Sequence, residues 1–205
     1  MSARKRVGVL ISGRGSNMKA LIDAAQAEDY PAEIVLVISN RADAGGLAIA
    51  KDAGIAARVI PHKNYPNRAT FDAALDKALS ASRVEIVCLA GFMRLLTPGF
   101  VAGWRDRMLN IHPSLLPEFP GLDTHARAIA AGRRVAGCTV HFVRAQTDTG
   151  PIVAQAEVPV EPGDTADSLA ARVLEAEHRL YPRALALVAA GRARVVGEKV
   201  EIAGP

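Results

Sequence analysis

Cysteine and aromatic residues are scarce in this sequence, and it has no long apolar run. Only two of its 205 residues are cysteine, Cys88 and Cys138, and they form no CxxC pair. Neither a zinc site nor a disulfide framework is therefore expected, and no metal is assigned. Cys88 lies within the apolar run Ile86-Val87-Cys88-Leu89-Ala90 and reads as packing, which suits a reducing compartment. Aromatics make up 4% of the chain, and the arginines behind its net charge of +4 are scattered. A nucleic-acid surface needs clustered cations and stacking rings, so no nucleic-acid partner is expected. The apolar stretch after the basic opening Met1 to Arg6 stops at Ser12, too early for a signal peptide or a membrane span. These readings place the protein in the cytoplasm with small-molecule partners and no membrane partner, as a monomer or homodimer.

What is present is an ordinary globular composition, 50% hydrophobic and 22% charged, long enough to bury a core without cross-links. Short apolar runs alternate with helical patterns, which is the mark of βαβ units. Strands are predicted at 7–11, 34–38, 57–60, 86–90 and 108–112. Helices are predicted at 16–27, 45–53, 68–81 and 124–131. The first four strands are apolar throughout rather than alternating, as expected where helices cover both faces of a parallel sheet. Segments 139–143 and 152–160 alternate more and read as an antiparallel extension. Thr165 is a candidate N-cap for a long helix reaching about Leu180, with Pro182 expected to kink or restart it. Trp104, Phe100 and Val101 read as core. The predicted class is α/β: a doubly wound, mostly parallel Rossmann-like sheet with helices on both faces and an antiparallel extension toward the C-terminal part. It is read as one domain over 1–205, with a phosphate-binding half at 1–105 and a catalytic half at 106–205.

Two places carry chemistry. Ser12-Gly13-Arg14-Gly15-Ser16-Asn17 joins the first strand to the first helix, where backbone N–H groups at a helix start can hold an anion. It lacks the third glycine of a dinucleotide fingerprint and the GK[ST] of a P-loop, which leaves a monophosphate site or a plain turn. Asn110 and His112 stand two apart on a strand, so both project from one face at the strand's carboxyl end. An amide and an imidazolium side by side can both donate to an oxyanion, and histidine can move a proton near neutral pH. Asp148, in the loop Gln146-Thr147-Asp148-Thr149-Gly150-Pro151, would favour the charged ring if it reached His112. It could equally be a turn aspartate before Gly-Pro. Of the other histidines, His62 is expected in a surface loop and His125 at a helix start near the site. His141 shares a strand face with Thr139, and His178 packs or caps on the long helix.

Together these segments resemble the phosphoribosylglycinamide formyltransferase family, the folate-dependent enzymes of purine synthesis. The resemblance runs over nearly the whole chain. It rests on Ser12 to Asn17, Leu89-Ala-Gly-Phe-Met-Arg-Leu-Leu96, Leu109-Asn-Ile-His-Pro-Ser-Leu-Leu-Pro117, Asp148 to Pro151, and Glu177-His178 with Tyr181-Pro182. It implies that Gly15, Ser16 and Asn17 hold the phosphate of glycinamide ribonucleotide. It implies that Arg68, Met93, Arg94, Leu95, Leu96 and Asn110 meet 10-formyltetrahydrofolate, with Arg68 near its glutamate tail. By the same likeness Asn110, His112 and Asp148 form the catalytic trio and Glu177 sits on the ribose and amine side of the substrate; Thr139 and His141, from their shared strand face, are read as supporting the trio from behind. A cis peptide is implied at Leu116–Pro117. Three positions depart from the family's commoner pattern: Thr149 for glycine, Thr139 for serine and Asp123 for histidine. The implied reaction is direct attack of the glycine amine on the formyl carbon, with 10-formyltetrahydrofolate as co-substrate and no metal. Rival readings are a formyltetrahydrofolate hydrolase, another folate formyltransferase such as the catalytic part of the methionyl-tRNA enzyme, and a non-catalytic nucleotide-binding module.

Overall fold

A computed structural model describes residues 3–204. Five strands, β1 (Lys5–Ile11), β2 (Ala32–Ser39), β3 (Ala56–Val59), β4 (Ile86–Leu89) and β5 (Met108–His112), pair in parallel. Antiparallel β6 (Val135–Phe142) and β7 (Ile152–Pro159) complete a seven-stranded sheet in the order β3-β2-β1-β4-β5-β6-β7. The α/β class and the antiparallel extension are as the sequence predicts. The chain order reverses between β1 and β4, and open α/β sheets take up ligands outside the strand ends at such a point.

The helices are α1 (Ser16–Ala24), α2 (Gly46–Asp52), α3 (Arg68–Ala81), α4 (Pro98–Gly103), α5 (Thr124–Ala130) and α6 (Ala166–Ala189). β1 shows why both faces are covered. Val7, Val9 and Ile11 point into a core shared with α1 and α6, whereas Leu10 points into a second core with Leu75 and Leu79 of α3 and Phe100 of α4. All of these are buried, and each such side chain contributes about 1.5–3 kcal/mol relative to exposure. Trp104, Phe100 and Val101 belong to the second core, and Cys88 is fully buried in the first.

Three features differ from the sequence reading. α4 has no counterpart there; Thr97 caps it through Oγ1, which accepts from Phe100 N at 3.3 Å, and Pro98 opens it, a proline position that costs a helix nothing. A hairpin of β8 (Ala193–Val196) and β9 (Lys199–Ile202) follows α6 and is too short to give a period. α6 itself starts at the predicted cap, Thr165, which forms a reciprocal capping box with Ser168. It does not stop near Leu180, and runs through Pro182 to Ala189. A helix-interior proline costs about 3 kcal/mol. Here Leu180, Tyr181, Ala184, Leu185 and Ala189 are all buried on the face that packs on the sheet, which outweighs that cost. Tyr30 also donates from its hydroxyl to the Pro182 carbonyl at 2.7 Å.

The 143–149 loop is pinned at its far end by Gly150. A Cβ there would stand 1.7 Å from the Phe142 carbonyl oxygen, so only glycine permits the closure, which is sealed by Phe142 N donating to Pro151 O at 2.9 Å. Gly150→Ala should lower stability by about 2–4 kcal/mol, a cost typical of forced backbone displacement. Thermal unfolding checks this, and a midpoint equal to that of the unaltered protein would contradict the packing described.

Candidate active site

The carboxyl ends of β1, β2, β4 and β5 surround a cavity of about 560 Å³. That is within the range of small-molecule sites, roughly 300–1,000 Å³. On one side lies the loop after β1. Gly15 takes φ of +77° just before α1, a left-handed conformation that suits glycine. A Cβ on Gly15 would also stand 2.7 Å from the Gly46 Cα at the start of α2. Glycine thus lets two helix starts close together, with Ser16 and Asn17 at the opening of α1 facing the cavity. Across from them stands Glu177 of α6, 6% exposed, which accepts from Asn17 Nδ2 at 2.6 Å. Burial pushes its carboxyl up to about 7, and the Asn17 bond pulls the other way.

Asn110 and His112 do project from one face of β5. The antiparallel register sets Asn110 opposite His141 and His112 opposite Thr139, so one face carries all four side chains. Asp148 folds over this group. Its Oδ2 is 3.4 Å from His112 Nδ1 and accepts from Gly121 N at 2.9 Å. The His112 and Asp148 side chains are each only 7% exposed. The other ring nitrogen, Nε2, is 3.0 Å from Phe119 O. Both nitrogens of His112 therefore face oxygens that only accept, and a ring with hydrogen on both satisfies both. The two grips come from one loop, the Pro-rich connection 113–123 between β5 and α5, since Phe119 and Gly121 both lie in it.

His141 behaves differently. Its Nδ1 is 2.9 Å from the Phe142 carbonyl and must donate there, leaving Nε2 to accept from Asn110 Nδ2 at 3.3 Å. Burial lowers its pKa and so favours this neutral tautomer; the Phe142 bond and the Asp148 charge oppose it. Asp148 Oδ1 is 3.7 Å from Nε2, too long for a hydrogen bond. The ring thus orients the Asn110 amide and leaves that amide one N–H to offer. Thr139 holds the Pro-rich loop: its hydroxyl donates to Ser114 O at 2.7 Å and accepts from Leu116 N at 3.1 Å and Gln155 Nε2 at 2.8 Å. The Leu116–Pro117 peptide in this loop is cis.

The residues singled out from the sequence do not all converge. Met93 and Arg94 line the cavity with Met93 68% exposed, and Leu95 is 62% exposed beside half-buried Leu96. Arg68, the first residue of α3, is exposed and not on the cavity wall. His62 is not in an open surface loop: it starts a 3₁₀ turn, is half-buried against the edge of the Phe71 ring, and lines the cavity. His125 also lines it, with Nδ1 buried and without a hydrogen-bond partner among the described residues. His178 sits half-buried on α6 with Nε2 buried and likewise unpaired among them. Asn40 and Arg41, just past β2, join the cavity wall without having been singled out; their one signal is a place at a parallel strand's carboxyl end. Asp123 takes a left-handed φ of +56° and makes no side-chain cap to α5, and Thr149 ties back to Gln146 O at 3.0 Å.

Comparison with known proteins gives a consistent likeness. Residues 5–185 match the family model described as formyl transferase. The chain is 45% identical over 191 residues to phosphoribosylglycinamide formyltransferase of Haemophilus influenzae, covering 93% of this chain and 90% of that one. It is 54% identical over 197 residues to the trifunctional purine biosynthetic protein adenosine-3 of Drosophila pseudoobscura pseudoobscura, covering 95% of this chain but only 14% of that much longer protein. Among solved structures, glycinamide ribonucleotide transformylase 1 from Symbiobacterium toebii superposes with a TM-score of 0.97 at 48% identity, covering 100% of this chain and 96% of the other.

The raised carboxyl of Glu177 has a consequence for stability. The folded chain keeps this proton where the unfolded chain, at the ordinary 4.5, has lost it. The group therefore costs nothing below about 4.5 and costs stability as pH rises to about 7. Glu177→Gln removes the ionisation. Its unfolding free energy relative to the unaltered protein should rise by about 3 kcal/mol across that window, measured by denaturant titration at several pH values. A difference that stays constant with pH would contradict the burial argument.

Proposed function

The chain belongs to the formyl transferase family, and from that premise we propose that it transfers the formyl group of 10-formyltetrahydrofolate to the glycine amine of glycinamide ribonucleotide, a step of purine synthesis. The observation that carries this reading is the amide–imidazole face of β5 with a carboxylate folded over it, beside a cavity with a helix-start anion cradle. Relatives named for that same activity support the choice of substrates.

In this reading the substrate phosphate lies at Gly15, Ser16 and Asn17, where backbone N–H groups and the start of α1 favour an anion. Glu177 sits on the ribose and amine side, and its raised proton affinity suits a group that takes charge from the incoming ammonium. The amine nitrogen attacks the formyl carbon and the carbonyl π pair moves to oxygen. Asn110 supplies its remaining N–H to that oxyanion. His112 supplies the Nδ1–H, which Asp148 holds only loosely at 3.4 Å. Asp148 balances the imidazolium charge and orders water that carries the amine proton to the leaving folate nitrogen. The C–N bond to folate then breaks and the oxyanion collapses to the amide. Met93 and Leu95 present exposed apolar side chains on which the folate rings rest, beside half-buried Arg94 and Leu96, with Arg68 reached by the folate's glutamate carboxylates. Thr139 and His141 hold the loop and the amide in place. The cytoplasm is the expected site of action, and both substrates are small molecules.

A folate absorbance assay with glycinamide ribonucleotide as acceptor tests the reading against the hydrolase alternative. Formyl release that depends on the amine is expected; equal release to water alone would overturn it. One oxyanion donor is worth about 3–4 kcal/mol, so Asn110→Ala should cut kcat on the order of 100- to 1,000-fold. Near-normal turnover would contradict the role of that amide. Asp148→Asn keeps the shape and removes the charge, and should change the pH–rate profile of kcat; an unaltered profile would speak against the pairing with His112.

A further inference from the structure

His62 is one of the cavity residues that the reaction scheme leaves unused, and its hydrogen-bond environment fixes its tautomer. The chain of donors starts at a backbone group. Met93 N donates to Ser12 Oγ at 2.8 Å, so that oxygen accepts. Ser12 is 7% exposed and its hydroxyl hydrogen needs an acceptor, found in Asn40 Oδ1 at 2.6 Å. Turning the Asn40 amide over would face that hydroxyl with an NH₂ and leave its hydrogen buried and unpaired, at a cost that buried polar groups avoid. The amide orientation is thereby set, and Asn40 Nδ2 points at His62 Nδ1 from 3.1 Å. An amide NH₂ only donates, so Nδ1 carries the lone pair and the ring hydrogen is on Nε2. The competing contact, from His62 Nδ1 to Asn40 O at 3.4 Å, would require a hydrogen on Nδ1 aimed near that NH₂ and is the longer of the two.

The ring is held rigidly besides. It packs edge-on against Phe71 with centroids 6.3 Å apart, and Phe71 is itself buried in the second core. Nε2 has no protein partner among the described residues, while the side chain lines the cavity together with Arg14 and Arg41. A fixed donor on a wall that also carries Arg14, and Arg41 paired to Asp43, suits an oxygen-rich anionic ligand.

We propose that His62 is a substrate-binding residue that donates from Nε2 to an acceptor oxygen of a sugar phosphate in the cavity. The Ser12–Asn40 relay keeps that donor permanently presented. Because the same relay begins at the Met93 amide, it also ties this donor to the segment assigned to the folate. The inference rests on the proposed reading for the identity of its ligand, glycinamide ribonucleotide.

The test compares the unaltered protein with His62→Phe, which keeps the packing against Phe71 and removes the donor, and His62→Gln, which restores one. Binding of glycinamide ribonucleotide is measured by calorimetry, and the KM of each substrate by the absorbance assay. A donor to a charged group is worth a factor on the order of 10 to 100. His62→Phe should weaken Kd and KM for glycinamide ribonucleotide by that factor with the KM for 10-formyltetrahydrofolate held, and His62→Gln should recover part of the loss. Unchanged Kd in His62→Phe, or an equal rise in both KM values, would overturn the assignment. An unaltered protein that binds glycinamide ribonucleotide but transfers no formyl group would instead sink the proposed function and leave the role of His62 standing.

Discussion

The register between β5 and β6 is the constraint on which the site depends. Asn110 faces His141 and His112 faces Thr139 across an antiparallel pair, and a one-residue slip of either strand would send its own two side chains to the opposite face, away from the other pair. The register is held by burial on the face opposite the polar residues. Leu109 and Ile111 alternate with the polar pair on β5, as Cys138, Val140 and Phe142 do with theirs on β6, and all five belong to one core. Packing thus decides which way the polar residues point, and hydrogen bonds then set their angles. The neutral His141 ring turns the Asn110 amide, and the Thr139 hydroxyl anchors the Pro-rich loop.

That loop has a double duty. Its Phe119 carbonyl holds one edge of His112, and its Gly121 amide holds the carboxylate that faces the other edge. The ring and the carboxylate are therefore spaced by a single segment of backbone. His112 and Asp148 sit in a nearly dry place, where an unpaired charge is expensive and a paired one is strongly oriented. This preorganisation is what oxyanion stabilisation requires, because donors already aimed need no rearrangement as charge develops.

Much of this is legible in the sequence because it depends on short-range pattern. Continuous apolar runs mark β1, β2 and β4, the Gly15 turn marks the helix-start cradle, and the spacing of Asn110 and His112 sets their common face. The Asp148 contact cannot be read from spacing, since it is closed by a loop whose geometry depends on Gly150 meeting β6. The resemblance to a known family supplies that pairing instead. The end of α6 escapes the local rule for Pro182, which is overruled by the burial of Leu180, Tyr181, Ala184, Leu185 and Ala189. The place of His62 is hidden because nothing local reveals that a residue after β3 will turn back to hydrogen-bond with Asn40 after β2.

The central claim is that the Asn110 amide and the His112 ring jointly receive the oxygen of the reacting carbonyl. It is tested most directly by a crystal structure with glycinamide ribonucleotide and a non-transferable analogue of the formyl folate. The account predicts the analogue's carbonyl oxygen within hydrogen-bond distance of both Asn110 Nδ2 and a ring nitrogen of His112. A carbonyl oxygen bound elsewhere, with both side chains turned away from it, would contradict the account.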